Sequence, residues 1–320
     1  MAARFGGASV RGYVDAVLRG DKRAAAKLIS LIEDDEPEAG EAVARVHPHT
    51  GRAHIVGFTG PPGVGKSSLI NRLVRAFRAR GKKVGVVAVD PTSPFTGGAL
   101  LGDRVRMQAR ATDPGVFIRS MATRGALGGL ARATLDAVRV LDALGLDVVL
   151  VETVGVGQAE IDVARLADTV VVVAVPGMGD EVQAIKAGLM EIGDVFVVNK
   201  GDREGADRAA AELRTWAEMG MTAEWIPPVL VTTATTGEGV KELADAALRH
   251  RDAMRASGAH TQRRRRQAEH ELHVLLQGAL AAALERDLAE EFRRGVDAVA
   301  ERRESAHETA ESLLRAWRGL

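Results

Sequence analysis

The sequence predicts an α/β fold with a mostly parallel, doubly wound sheet, an N-terminal helical segment and a C-terminal helical extension. Short apolar runs alternate with amphipathic stretches between about residues 53 and 250, which is typical of strands alternating with helices in a parallel sheet. A glycine-rich segment, residues 60–67, joins the first apolar run to a stretch with apolar residues at helical spacing. No strand-like run follows residue 265, which indicates that the fold is complete before the chain ends.

Three segments are expected: a helical segment at 1–50, a nucleotide-binding domain at 51–255 and a helical extension at 256–320. In the first segment, Gly20 should end one helix and Asp21 should cap the next. The extension carries apolar residues at helical intervals and must bury that stripe on the core or on a second copy. Because it is long and follows a complete fold, we favour a homodimer.

Seven apolar, β-branched runs are predicted to form the strands of the sheet. They are residues 53–58, 83–89, 116–119, 147–152, 169–175, 194–198 and 229–232.

The segment from Gly60 to Ser67 reads G-x-x-x-x-G-K-S between a strand and a helix, which is the context that a phosphate-binding loop requires. The fold class is therefore that of the P-loop NTPases. Its backbone N–H groups and the helix N-terminus would surround phosphate oxygens, Lys66 would reach the β- and γ-phosphates, and the Ser67 hydroxyl would bind Mg²⁺. A glycine-rich turn with a chance Lys-Ser pair is the alternative, and the match on both flanks argues against it. The residues expected to contact nucleotide are Gly60, Gly63, Val64, Gly65, Lys66, Ser67 and Ser68.

The tetrapeptide N-K-x-D at residues 199–202 follows another apolar run and indicates which base is bound. The Asp202 carboxylate can accept from the N1–H and the 2-amino group of guanine in a bidentate pair that adenine cannot offer. Asn199 would reach the N7 side of the base, and the Lys200 stem would cover its ring. A polar loop after a strand is the alternative for the tetrapeptide alone; downstream of a phosphate loop, the pattern favours GTP over ATP.

A looser pattern follows the last apolar run, at residues 233–239. It resembles the guanine-supporting loop of GTPases, in which backbone N–H groups contact the base oxygen. Thr233, Ala234 and Thr235 are therefore candidate nucleotide contacts, although an ordinary strand-to-helix turn fits this segment equally well.

The run at 147–152 ends in Glu152, followed by Gly155, where many GTPases have D-x-x-G. The carboxylate would order Mg²⁺-bound water, and the glycine N–H would detect the γ-phosphate. Residue 156 is Val, where Ras-like GTPases carry the water-orienting Gln, and Gln158 is a weak substitute. We therefore expect slow intrinsic hydrolysis, with a partner or a dimer mate completing the site.

Two further segments have the composition of switch loops. Asp90 ends the run at 83–89; if that strand lay beside the one feeding the phosphate loop, Asp90 would face the γ-phosphate and Mg²⁺, the alternative being a capping Asp before a Pro turn. Asp103 lies in the glycine-containing loop that follows; it could swing toward Mg²⁺ or pair with a neighbouring arginine. The loop at 176–186 would lie at the nucleotide edge and relay nucleotide state, or would simply connect a strand to a helix.

Composition excludes several classes. Lys+Arg (43) equals Asp+Glu (43), so no global field attracts nucleic acid or an anionic membrane. There is no Cys, which excludes disulfides and thiolate metal sites. Neither a membrane-spanning run nor a secretory signal is recognisable, so we expect a cytoplasmic protein. The Arg263–Arg266 run is interpreted as a solvated part of the tail helix rather than a nucleic-acid site.

Together these residues resemble the MeaB/ArgK family of P-loop GTPases, relatives of the nickel-insertion GTPases, over roughly residues 10 to 300. The resemblance rests on the phosphate loop, the N-K-x-D tetrapeptide, DPTSPFTGGALLGDRVRM at 90–107, FIRSMATRG at 117–125, ETVGVGQAE at 152–160 and the loop at 176–186.

The resemblance implies a homodimeric, GTP- and Mg²⁺-binding chaperone that assists an adenosylcobalamin-dependent acyl-CoA mutase, mainly methylmalonyl-CoA mutase. Such proteins gate cofactor loading and protect or reactivate the mutase. By position, the implied catalytic residues are Lys66, Asp90, Glu152 and Lys186, of which Lys186 would couple hydrolysis to the mutase. The implied metal ligands are Ser67, Asp90, Asp103 and Glu152.

Three alternatives stay open. A kinase would need an acceptor pocket with its own base, and none is recognisable. A nickel-delivery GTPase would need Cys or clustered His, and the eight His form no convincing ligand set. A nucleotide-gated scaffold would show negligible hydrolysis. Which mutase is served, and through which surface, does not follow from the sequence.

Overall fold

The chain forms two compact units, Met1–Arg263 and Arg264–Leu320. The computed structural model describes residues 9–91, 113–123, 129–153, 163, 165–177, 191–219 and 225–319.

The first unit is built on a parallel seven-stranded sheet with the strand order β3-β2-β4-β1-β5-β6-β7. All seven predicted strands are confirmed, and the third runs four residues further than predicted, to Thr123. The strands are β1 (His54–Thr59), β2 (Val84–Pro91), β3 (Val116–Thr123), β4 (Val148–Thr153), β5 (Thr169–Ala174), β6 (Val195–Asn199) and β7 (Val229–Thr232).

Ten α-helices and one short 3-10 turn (His47–His49) are present in the described residues. They are α1 (Val10–Leu18), α2 (Lys22–Glu33), α3 (Ala39–Val46), α4 (Lys66–Ala79), α5 (Gly129–Ala143), α6 (Ala206–Met219), α7 (Val240–Ala256), α8 (Ala259–Asp287), α9 (Ala289–Ala300) and α10 (Ala306–Arg318).

The central strands are apolar without alternation because both faces of the sheet are covered. In β4, Val148 and Leu150 pack with residues of α4 and α7 in one core. Val149 and Val151 pack in a second core, with residues of α1, α2, α3 and α5. A third cluster joins β5 and β6 to α6. This arrangement confirms the expected doubly wound α/β fold.

The break between α1 and α2 lies at Gly20 and Asp21, as the sequence indicates. The Asp21 side chain accepts from the N–H groups of Arg23 and Ala24 and so caps α2. Lys22 reaches the sheet, where its Nζ donates to the carbonyl oxygens of Asp113 at 3.1 Å and of Val116 at 2.6 Å. Helix α2 is therefore tied to the start of β3.

The second unit contains most of α8 together with α9 and α10. Helix α10 starts with a capping box between Ser305 and Glu308, and Trp317 Nε1 donates to Asp287 at the end of α8 at 3.1 Å. Four leucines of α8, Leu272, Leu275, Leu276 and Leu280, are between 40% and 58% exposed. Among the described helices, none is long and apolar enough to cross a bilayer.

A buried chain of polar side chains lies at the amino edge of the sheet. His54 Nε2 lies 2.8 Å from Thr169 Oγ1, which lies 2.7 Å from His250 Nδ1. His250 Nε2 faces Asp194 Oδ1 at 3.3 Å. Because a carboxylate only accepts, the proton order that fits runs from His250 to Asp194, from Thr169 to His250, and from His54 to Thr169.

Arg263 completes this chain. Its guanidinium lies 2.9 Å from Asp194 Oδ2 and donates to the carbonyl of Asp168 at 3.0 Å. Burial alone would raise the pKa of Asp194, but the hydrogen bond from His250 and the charge of Arg263 hold it below its usual value. The expectation that the whole Arg263–Arg266 run is solvated is wrong for Arg263, because Asp194 and Asp168 precede two adjacent strands and present acceptors to it.

The buried His54 predicts a pH-dependent stability. Burial is the main cause that lowers its pKa to about 3; the Asp168 charge opposes this shift, and Arg251, His250 and Arg255 add to it. The folded chain thus keeps His54 neutral where the unfolded chain, with a pKa near 6.5, binds a proton. Stability should fall as pH falls below about 6.5, and this residue should account for about 2 kcal/mol between pH 7.5 and pH 5.

Urea unfolding of the wild type and of His54→Gln at both pH values measures this. The Gln amide can still donate to Thr169 but does not titrate in this range, so the variant should lose less stability on acidification. Equal losses in the two proteins would contradict the assignment.

Candidate nucleotide-binding site

The phosphate loop connects β1 to α4 at the carboxyl edge of the sheet, and its glycines are required by close contacts. Gly60 has φ +133°, and a Cβ there would lie 2.2 Å from the Val173 carbonyl oxygen in β5. Gly65 has φ +94°, and a Cβ there would lie 2.5 Å from Asn199 Nδ2. A side chain at either position would push the loop away from the sheet.

Lys66 is buried at the first turn of α4. Its Nζ donates to the carbonyl oxygens of Gly60 and Pro61, so the ammonium lies inside the curve of the loop. The next residue, Ser67, places its Oγ 2.5 Å from Glu152 Oε1 at the end of β4. Ser68 follows on the exposed side of the helix.

Ser67 and Glu152 form a donor set suited to Mg²⁺. Both offer oxygen ligands, which Mg²⁺ prefers, and Mg²⁺ commonly takes few protein oxygens and fills its other positions with phosphate oxygens and water. Glu152 is only 5% exposed, so its charge acts in a medium of low dielectric constant. Among the described residues, no group of three or more His, Cys, Asp or Glu side chains could hold a metal ion.

The strand order changes the position expected for Asp90. Strand β4 lies between β1 and β2, with Phe58 opposite Glu152 and Glu152 opposite Ala88. The condition that β2 lies beside β1 is therefore not met, and Glu152, not Asp90, stands next to the strand that feeds the loop. Asp90 lies at the carboxyl end of β2, so a role near the metal stays a prediction.

Asn199 joins the phosphate loop to the opposite side of the site. It is 1% exposed; its Nδ2 donates to the Val64 carbonyl at 2.8 Å, and its Oδ1 accepts from Thr232 Oγ1 and from the Ala234 N–H, both at 3.2 Å. An amide nitrogen carries two N–H groups, and the bond to Val64 uses one of them. The predicted contact to the base is compatible with this geometry and stays a prediction.

Lys200 and Asp202 follow in a tight turn. Lys200 adopts φ +59°, and its Nζ donates to the Gly63 carbonyl at 2.8 Å, so its stem crosses above the phosphate loop. Asp202 is exposed. The turn lies against β7, where the Gly201 N–H donates to the Thr232 carbonyl at 2.9 Å. Two of the three polar residues of N-K-x-D, Asn199 and Lys200, thus contact the phosphate loop.

The candidate base loop, residues 233–239, closes on itself. The Thr233 N–H donates to the Glu238 carbonyl at 3.0 Å, and the Gly237 N–H donates to the Thr233 carbonyl at 2.8 Å. Thr233 and Ala234 are buried, whereas Thr235 is exposed. Their predicted contact to nucleotide is not tested by this geometry.

Several predicted residues lie outside the described part of the chain: Asp103, Gly155, Lys186 and most of the loop at 176–186. One further residue at the site, Arg72 of α4, was not predicted from the sequence. It donates to the carbonyl oxygens of Ala234, at 2.9 Å, and Thr235. The only signal was an arginine six positions after Lys66, which is not distinctive.

A family model described as "Methylmalonyl Co-A mutase-associated GTPase MeaB" matches residues 25–288. The chain belongs to the MeaB family. This confirms the resemblance inferred from the switch-like strings and the N-K-x-D tetrapeptide.

Proteins similar to this chain include named GTPases and one solved structure that is named a kinase. A Pyrococcus abyssi protein, itself only provisionally named a GTPase, is 51% identical over 311 residues, 94% of this chain and 95% of the relative. The GTPase ArgK of Escherichia coli is 36% identical over 260 residues, 78% of each chain. A solved structure, named as that of a LAO/AO transport system kinase, has a TM-score of 0.72 at 27% identity and covers 99% of this chain and 100% of its own. This MeaB-family member is a P-loop GTPase.

Replacement of Glu152 by Gln should separate metal binding from nucleotide binding. The amide keeps the size of the side chain and can still contact Ser67, but it loses the charge that favours Mg²⁺. We expect kcat for GTP hydrolysis to fall about 100-fold and the Mg²⁺ concentration for half-maximal activity to rise. GDP affinity measured in EDTA should stay unchanged. Wild-type turnover in Glu152→Gln would contradict the assignment of Glu152 to the metal.

Proposed function

We propose that this GTPase is a nucleotide-switched chaperone that gates adenosylcobalamin loading and protects or reactivates an adenosylcobalamin-dependent acyl-CoA mutase. The observation that carries this proposal is the match to the mutase-associated family over residues 25–288. A mouse relative named "Methylmalonic aciduria type A homolog, mitochondrial" supports it; that protein is 39% identical over 213 residues, 63% of this chain and 50% of its own length.

In this proposal, GTP and Mg²⁺ occupy the carboxyl edge of the sheet. Lys66 and the N–H groups of the phosphate loop hold the phosphates, and Ser67 with Glu152 holds Mg²⁺, with Asp90 and Asp103 as further carboxylates. The base lies between Lys200 and the loop at 233–235, where Asp202 reads the guanine edge. Bound Mg²⁺ would neutralise charge that develops on the phosphates during transfer to water.

We further propose that hydrolysis is slow in the free protein. Residue 156 is Val, and the predicted relay residue Lys186 belongs to the charged segment 176–186, which follows β5 in the sequence. A partner or a dimer mate would complete the catalytic site. Kinase activity stays an alternative because the solved relative is named a transport system kinase, and phosphate transfer to an acceptor other than water would favour it.

GTP turnover with and without an acyl-CoA mutase from the same genome tests the proposal. The free protein should turn over below about one GTP per second, and the mutase should accelerate this at least about tenfold. Lys186→Ala should bind GTP normally but lose the acceleration, because only the relay is removed. Lys66→Ala should abolish turnover in both conditions and serves as the control for contaminating activity.

Rapid turnover without a mutase, or no acceleration by any candidate mutase, would contradict the chaperone function while leaving a GTPase. Acceleration that persists in Lys186→Ala would contradict the relay alone.

The homodimer is proposed to form through α8, and we place the protein in the cytoplasm without a nucleic-acid or membrane partner. Leu272, Leu275, Leu276 and Leu280 lie at helical spacing, and all four are exposed within their unit. A second copy of the same helix offers a matching apolar stripe, and burying such side chains favours association.

The double variant Leu276→Lys, Leu280→Lys should therefore be monomeric, with a mass near 33.9 kDa by light scattering, where the wild type has twice that mass. The control is Ala281→Lys, an exposed position on the opposite side of α8 by helix geometry, which should remain dimeric. A monomeric wild type, or a dimeric double variant, would contradict this interface.

A further inference from the structure

Arg72 hydrogen-bonds to two consecutive carbonyl groups of the candidate base loop. It lies on α4, the helix that begins with Lys66, and its chain position is more than 160 residues from the loop. Nε donates to the Ala234 carbonyl at 2.9 Å, and Nη2 donates to the Thr235 carbonyl. The planar guanidinium suits such a two-point contact, which a lysine cannot reproduce.

These two hydrogen bonds fix the directions of the Thr235 and Thr236 N–H groups. In a trans peptide, the C=O and the N–H of the same planar unit point in opposite directions. Because the Ala234 carbonyl points to Arg72, the Thr235 N–H points away from it. By the same geometry, the Thr236 N–H points away from Arg72, because the Thr235 carbonyl points toward it. The positive charge of Arg72 also polarises both peptides, which makes their N–H groups stronger donors.

The rest of the loop is already occupied. The Ala234 N–H donates to Asn199, the Thr233 N–H donates to Glu238, and the Gly237 N–H donates to Thr233. The N–H groups of Thr235 and Thr236 have no acceptor among the described residues. They therefore form a pair of oriented donors beside Asn199, on the side of the loop away from Arg72.

We propose that Arg72 is a positioning residue for guanine recognition, which acts by aiming the Thr235 and Thr236 N–H groups at the 6-oxo group of the base. Guanine presents an acceptor at this position, whereas adenine presents an amino group that would meet these donors unfavourably. The inference rests on the proposed placement of the base between Lys200 and the loop at 233–235. It adds a second guanine-selective element to the one proposed for Asp202.

A purely structural role for Arg72 would produce the same contacts, so the test must separate the two. Arg72→Met keeps the length of the apolar stem and removes both hydrogen bonds. Arg80→Met is the matched control, because Arg80, the residue that follows α4, joins this helix to α7 through Asp245 at 2.5 Å and the Lys241 carbonyl at 3.3 Å and makes no hydrogen bond to the described residues of the base loop. Arg72→Lys keeps the charge and provides a second variant with a milder effect on folding.

Dissociation constants are measured for three nucleotides with each protein. GDP carries both the 6-oxo and the 2-amino group, IDP keeps only the 6-oxo group, and 2-aminopurine riboside 5′-diphosphate lacks the 6-oxo group. The last also lacks the N1–H, but that loss is common to all variants and cancels in a double-mutant cycle.

We expect Arg72→Met to weaken GDP and IDP equally, by about tenfold, and to weaken the 2-aminopurine nucleotide by less than about threefold. Arg72→Lys should lie between the wild type and Arg72→Met for GDP. Arg80→Met should change none of the three constants, even where it lowers the melting temperature.

Equal losses for GDP and the 2-aminopurine nucleotide in both Arg72 variants would overturn the inference, and so would an unchanged GDP affinity. Asp202→Asn tests the placement of the base separately, since it should weaken GDP more than IDP. If Asp202→Asn leaves the affinities for GDP and IDP unchanged, the base is not bound as proposed. If Asp202→Asn has its expected effect but the Arg72 variants lose equal affinity for GDP and the 2-aminopurine nucleotide, only the role of Arg72 is contradicted.

Discussion

The site depends on one buried amide, that of Asn199. This side chain donates to the phosphate loop at Val64 and accepts from Thr232 and Ala234, so a single planar group sets the spacing between the two ends of the site. Because it is almost fully buried, an unmet hydrogen bond here would cost the full desolvation penalty of the group. The phosphate loop and the base loop, which are far apart in sequence, are thereby held as one rigid frame.

Two other side chains also connect the parts of that frame. Lys200 reaches back to Gly63, and Arg72 reaches forward to Ala234 and Thr235. Glycine at position 65 is needed because a side chain there would collide with Asn199. The loops at the nucleotide edge are thus positioned mainly by side chain–backbone hydrogen bonds, and the sheet supplies the fixed points from which they start.

The strands and the phosphate loop could be predicted because their signals are local: β-branched runs of buried residues, and glycines at fixed offsets before Lys66. The strand order could not be predicted, since nothing in the run at 83–89 indicates that β4 lies between it and β1. The predicted position of Asp90 depended on that order and changed with it. Arg72 was not predicted, and Arg263 was interpreted wrongly, for a related reason. The partner of a long side chain lies in a distant segment, and no periodic pattern in the sequence indicates it.

The contact between Arg263 and Asp194 limits how the chain can be shortened. Arg263 is the last residue of the first unit, yet it belongs to the same helix as the four exposed leucines. A truncation placed at the end of α7 would remove the extension and would also remove Arg263 from Asp194, leaving that carboxylate with only His250 and the Val170 N–H beside it among the described residues. A nucleotide-binding domain that keeps this ion pair therefore ends within α8, after Arg263, and not at the break between α7 and α8.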